Sequence, residues 1–323
     1  MDRCPRRLPG RGEAVVTLFR RRLREQPAAL VAAGVVALLV IVALAAPLLA
    51  ALEGQDPTTY HPELIDSARG GVPVGPLGGI SGEHWLGVEP QTGRDLFARL
   101  VYGARVSLGV ALTATVVQVL IGVVVGIAAG FGNRWVDQVL SRATDVIVAL
   151  PLMVLALALL AVVPGGFPRS VLVALVVGLV AWGNVAKIVR AQTVTLKELD
   201  HVAAARLSGW GPVRIARREL LPALAAPVIT YAALLFPANI TVEAALSFLG
   251  VGVQPPTPSW GQMLTSADVW YQAAPQYLLY PAGALFVTVL ALTVLGDGVR
   301  TALDPRAASR LRIGTGRGRE ART

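Results

Sequence analysis

The chain has one cysteine, Cys4, in 323 residues, so it can form no internal disulfide and no cysteine-based metal site. Its three histidines, His61, His84 and His201, are far apart and lack metal-ligand spacing. Charge is also scarce: 15% of residues are charged, against roughly 25% in an ordinary soluble domain. Lysine is nearly absent, with only Lys187 and Lys197, and neither lies in a G-x-x-x-x-G-K-[ST] phosphate-binding loop. No nucleophile–base arrangement stands out, so the reading is a non-enzyme with no cofactor.

What is abundant is apolar sequence. Hydrophobic residues make up 54% of the chain, and several uncharged runs approach or exceed the ~20 residues that cross a bilayer. The reading is an all-α integral membrane protein with about six transmembrane helices. The net charge of +9 would suit a nucleic-acid binder, but the arginines cluster beside apolar runs rather than on a basic face. Membrane lipid, not nucleic acid, is the expected surrounding.

The expected organisation runs as follows. Residues 1–27 form a basic N-terminal segment, with an amphipathic helix or a simple orienting leader over 13–25. Residues 28–52 form an anchor helix, too long for the core of a cleaved signal peptide. An external loop covers 53–104 and ends in a short helix near 94–100. A permease-like core fills 105–299, with spans near 106–131, 146–163 (Pro151 inside), 170–186, 223–249 and 277–296. A turn breaks the chain at 164–168, and a polar stretch lies at 262–276. A basic inward loop covers 187–222, and a basic tail, 300–323, is expected to be disordered beyond Pro305. With the N-terminus inside, 24 of the 29 Lys and Arg residues fall in inside segments, which favours an even number of spans with both termini cytoplasmic.

Three features stand out inside the spans and loops. Gly122, Gly126 and Gly130 recur every four residues and make a smooth ridge for close helix packing. Glu243 is the one carboxylate well inside a span, where a charge costs roughly 2.5–3.5 kcal/mol. It reads either as a polar residue lining a translocation path or as a structural hydrogen bond to a neighbouring helix. Between the fourth and fifth spans, Asp200 can cap a helix that carries Ala203, Ala204 and Ala205. Gly209 and Gly211 break that helix, and Pro212 suits the first position of the next. Such a short small-residue helix can fit a groove on a cytosolic partner.

From Ala203 through Gly209 to Leu221-Pro222 the chain resembles the "EAA" loop of binding-protein-dependent ABC importer permeases. Ala204, Ala205, Gly209, Leu221 and Pro222 are in register, while Ala203 stands where Glu is usual and Glu219 where Ile is often found. Leu86-Gly87 with Gly93-Arg94-Asp95, and Tyr102 through Leu108, are similar to the dipeptide/oligopeptide branch, with Val88-Glu89 in place of its usual Thr-Asp. Leu246–Gly250, Val253–Gly261, Gly296–Gly298 and Leu303–Pro305 extend the likeness, and the long anchor and external loop resemble the C-type subunit.

That resemblance implies the type I ABC importer transmembrane-domain fold in a bacterial cell membrane. It implies half of a channel for di- or oligopeptides, with 187–222 as the ATPase-coupling loop. The implied partners are a second homologous permease, two cytosolic ABC ATPase subunits and an extracytoplasmic substrate-binding protein. Alternatives of other kinds are an ion-gradient-driven secondary transporter and a membrane scaffold without transport. Within the same family, nickel complexes or glutathione are alternative cargoes.

Overall fold

The computed structural model describes residues 26–163 and 166–303. The expected amphipathic segment 13–25, Cys4, the tail beyond residue 303, and residues 164 and 165 of the expected turn lie outside the described residues. The molecule is a helical bundle. Four helical stretches are individually long and apolar enough to cross a membrane: Pro27–Leu44, Leu96–Phe131, Pro212–Phe248 and Pro275–Leu303. Two bent helix pairs bring the number to six if each pair is one span.

The first expected helix is two. Helix α1 (Pro27–Leu44) ends at Ala45, and α2 (Ala46–Glu53) restarts with Pro47 near its N-terminus. Proline cannot donate to the preceding turn but suits the start of a helix. After α2 the chain makes turns and a two-residue antiparallel ladder, β1 (Ile65–Asp66) with β2 (Val72–Pro73).

Helix α3 (Leu96–Phe131) absorbs both the short helix expected near 94–100 and the second span. The boundary placed at residues 104–105 therefore falls inside one helix. Asp95 caps it by accepting from the Ala98 N–H at 2.7 Å. At 1.5 Å per residue its 36 residues span about 54 Å, well beyond a ~30 Å hydrocarbon core. The surplus at its N-terminus is sheathed in protein: Leu96 packs with Met263, Ala267 and Tyr277, and Ala104 with Ala43 and Trp260.

The third expected span begins earlier than residue 146 and is broken. Helix α4 (Arg134–Ala149) meets α5 (Leu152–Val162) at 86° across Leu150-Pro151. Residues before proline avoid the helical region, and Leu150 is extended (φ −78°, ψ 131°). Between α3 and α4 the chain turns over Gly132–Asn133 alone, because the Asn133 side chain accepts from the Val136 N–H and starts α4.

The fourth span is likewise a bent pair, α6 (Arg169–Val180) and α7 (Gly183–Leu196), at 41°. Residues 187–196, expected in the basic loop, are thus helical. Helix α8 (Asp200–Leu207) and α9 (Pro212–Ile215) follow. A π-turn over Ala216–Leu220 joins α9 to α10 (Leu221–Phe248). Pro222 lacks an N–H, and the wider π-turn is a way to pass it without ending the helix.

The polar stretch expected at 262–276 is largely helical, in α11 (Trp260–Trp270). The last helix, α12 (Pro275–Leu303), runs longer at both ends than expected and takes in the first residues of the tail.

Candidate coupling loop and buried polar sites

The glycine ridge lies against α7. A Cβ on Gly122 would sit 2.4 Å from the Val185 Cβ; on Gly126, 2.6 Å from the Val189 Cβ; on Gly130, 2.7 Å from the Thr193 Cβ. Three successive turns of α3 therefore meet α7 with no room for a side chain. Gly178 of α6 lies equally close to Val117 of α3. This contact holds rigid the helix that leads into the loop of interest.

That loop is built on a small core of its own. Val202 and Ala205 of α8 are buried with Val185, Val189, Ile215, Leu220 and Leu224. Ala203, Ala204 and Leu207 point the other way and are exposed, as their spacing on a helix requires. Asp200 does not cap α8: Leu199 holds that position, without a side-chain bond, and Asp200 sits in the first turn. There its charge still suits the helix N-terminus.

Gly209 ends α8 in the left-handed region (φ +75°), donating its N–H to the Arg206 carbonyl at 3.0 Å. A side chain there would meet no atom but would be strained. Gly211 then precedes Pro212 at the start of α9, as the sequence predicts. Aromatic rings pin the corner. Arg206 lies over Phe131 at 5.0 Å, and Arg214 and Arg218 lie over Trp210 at 4.3 and 5.8 Å. Leu221 is exposed beside a groove of about 530 Å³ that also takes in Val124, Phe131 and Val213. Pro222 is exposed at the start of α10.

Glu243 is wholly buried within the chain. It accepts a hydrogen bond from the Ser247 hydroxyl at 2.8 Å, one turn along α10. Its Oε2 accepts no hydrogen bond among the described residues. The Ser247 bond is made within α10 itself and not to a neighbouring helix.

Two polar clusters escaped the sequence reading. Between α3 and α10, Gln118 donates to the Asn239 side-chain oxygen at 3.0 Å. Asn239 returns a bond to Gln118 at 3.1 Å and another to Thr115 at 2.8 Å. Paired amides of this kind tie helices where water is absent.

The second cluster lies at the N-terminal end of α3. Glu89 accepts from Arg94 Nε at 2.5 Å and from Thr92 at 2.8 Å, takes a bond from the Tyr277 hydroxyl, and lies 3.6 Å from Arg99 Nε. Arg99 donates onward to Gln262 at 2.6 Å and to the Pro57 carbonyl at 3.1 Å. Burial alone would raise the Glu89 carboxyl, but the charges of Arg99 and Arg94 outweigh it and hold it below its ordinary value. Nearby, Glu53 accepts from the Trp85 N–H at 2.7 Å. Burial pushes its carboxyl up to about 7, and the charge of Asp95 adds to the rise. Gly93-Arg94-Asp95 was visible only as a family-like string, and Tyr277, which donates to the Glu89 that Arg94 also binds, lies 188 residues from that carboxylate.

Residues 122–309 match the family described as binding-protein-dependent transport system inner membrane component. The chain belongs to that family. Residues 16–67 also match the N-terminal TM domain of oligopeptide transport permease C. Among curated proteins, the chain is 34% identical to the dipeptide transport system permease protein DppC of Alkalihalophilus pseudofirmus, over 90% of this chain and 89% of that one. It is 37% identical to the glutathione transport system permease protein GsiD of Pectobacterium atrosepticum, over 72% and 75% of the two chains. GsiD of Escherichia coli O157:H7 is 35% identical over 89% of each.

Among solved structures, a chain of the inward-facing MetNI methionine ABC transporter aligns with a TM-score of 0.50 at 20% identity. The alignment covers 65% of this chain and 98% of that one. The fold is the type I importer transmembrane fold. As a family member the chain is a multi-pass inner-membrane transport component, not an enzyme.

Proposed function

We propose that this chain is the C-type permease subunit of an ATP-driven importer and forms half of a translocation channel for di- or oligopeptides. The relatives' names, dipeptide and glutathione permeases, support a peptide-like cargo over a nickel complex. A second homologous permease completes the channel. Two cytosolic ATPase subunits drive it, and an extracytoplasmic binding protein delivers the cargo. Both termini are cytoplasmic, as the distribution of arginine and lysine favours. Residues 187–222 are the coupling loop, and Ala203, Ala204, Ala205, Gly209, Leu221 and Pro222 shape it.

The observation that carries this reading is the α8–α9 corner. Val202 and Ala205 root it in the bundle while Ala203, Ala204 and Leu207 stay uncovered. A helix rooted on one face and bare on the other suits a groove on a partner. Force applied there passes through α7, locked on the glycine ridge, and through the unbroken helical path into α10. ATP-driven closure of the ATPases would then bias the channel between its two access states.

Reconstituted uptake tests the proposal. The assembled transporter should import peptide only with ATP, its ATPases and its binding protein present. Ala204→Arg should abolish uptake while expression and thermal stability stay near wild type. Uptake driven by an ion gradient without ATP would place the chain with secondary transporters. Wild-type uptake by Ala204→Arg would remove the coupling assignment.

A further inference from the structure

The exposed tip of the corner, residues 203–218, carries four arginines and no carboxylate. Arg206, Arg214, Arg217 and Arg218 are all exposed. Among the described residues none of the four side chains donates a hydrogen bond or pairs with a carboxylate. Most cations elsewhere are engaged: Arg94 with Glu89, Arg190 with Asp137, Lys187 with Asp145. The nearest carboxylates on the loop lie outside the tip: Glu198, Asp200, and Glu219, which faces His201 at 3.9 Å.

The free arginines are not loose. Arg206 lies over the Phe131 ring, and Arg214 and Arg218 over Trp210. A cation–π contact uses none of the guanidinium's hydrogen-bond donors for another acceptor, and its N–H fork matches a carboxylate two bonds at a time. Between them stand bare apolar side chains: Leu207 is 91% exposed and Val213 79%. Apolar knobs ringed by oriented cations are complementary to an apolar groove with an acidic rim.

Building on the coupling reading above, we propose that this loop docks in an ATPase groove whose rim is acidic. The polarity is opposite to that of a loop with Glu at its start, where Ala203 stands here. Arg206 and Arg214 are the expected carboxylate partners, and Leu207 and Val213 fill the groove.

Cysteine cross-linking in the assembled transporter tests the sign of the rim. With Cys4→Ser as background, Leu207→Cys should cross-link to an ATPase subunit. If it does not, the docking reading itself fails. Given a cross-link, Ala203→Glu and Arg214→Glu should each lower its yield about threefold or more, because they set like charges together. Arg214→Lys should keep most of the yield, and higher salt should lower it. A higher yield with Ala203→Glu would mean a basic rim, and an unchanged yield in both variants a neutral one. Either result overturns the proposal. The same variants are then compared in nanodiscs of neutral and of anionic lipid. Charge dependence seen only with anionic lipid would assign the arginines to headgroups, and so also overturn it.

Discussion

Gly126 has the Val189 side chain and the Ala186 carbonyl where its own side chain would be, at 2.6 and 2.8 Å. Gly126→Leu should therefore force α3 from α7 and cost about 1–3 kcal/mol, read as a lower melting temperature in detergent. Gly109, on the same helix, has nothing within 4 Å of a built Cβ. Gly109→Ala should leave stability within about 1 kcal/mol, in the stabilising direction. A gain from Gly126→Leu like that from Gly109→Ala would mean that helix propensity, not the close approach, decides.

At the same scale, Glu53 and Glu89 give opposite pH dependences. Glu53 binds its proton up to about 7 in the folded chain, against an ordinary value of 4.5. Over that window the folded state holds a proton that the unfolded state has released, so stability falls as pH rises. Glu89 is depressed, so the stability it adds is present above 4.5 and is lost as pH falls through its lowered value. Melting curves from pH 4 to 8 should show Glu53→Gln relieving the loss toward pH 8. The same variant would leave the acid limb, to which Glu89 contributes, unchanged. A Glu53→Gln curve parallel to wild type throughout would contradict the raised value.

At the scale of elements, prolines part company. Pro237 and Pro281 sit inside unbroken helices, whereas Pro151 separates α4 from α5 at 86°. The residues on either side account for the difference. Helix α4 is amphipathic, with Arg134, Asp137, Arg142 and Asp145 among exposed apolar residues, while α5 has no charge at all. Two segments suited to different surroundings separate where proline permits it. Asp137 and Asp145 then tie α4 to Arg190 and Lys187 of α7, at 2.5 and 2.9 Å. Pro151→Ala should let α4 and α5 straighten, lengthening a spin-label distance between Val139→Cys and Val154→Cys. An unchanged distance would mean that the two ion pairs, not the proline, set the bend.

This is also where the sequence stops being legible. Apolar runs locate spans, and Gly-Pro at 211–212 marks a corner, because both signals are local. Whether a proline bends or breaks a helix depends on what packs beside it. The same applies to Gln118 with Asn239, and to Glu89 with Tyr277. Each pair joins residues more than a hundred positions apart, and no periodicity connects them. The corner over 200–222 was readable because its helix, break and restart follow one another directly. The start of helix α3 was misread because Arg99, and Arg94 just before the helix, look like loop residues until their buried partners, Glu89, Gln262 and the Pro57 carbonyl, are seen.

At the scale of the whole molecule, the proposed function puts the coupling corner and the buried Glu89 cluster at opposite faces of the membrane. The connection between them is α3, capped by Asp95 near Glu89 and ending at Phe131 beneath Arg206. A transporter whose loop docks on an ATPase must present that loop to the cytosol. The direct measurement is labelling with a membrane-impermeant maleimide in the Cys4→Ser background. Leu207→Cys should react only in inverted vesicles, and Leu77→Cys, on the exposed turn between β2 and α3, only in right-side-out ones. Reaction of Leu207→Cys from the exterior would contradict the account.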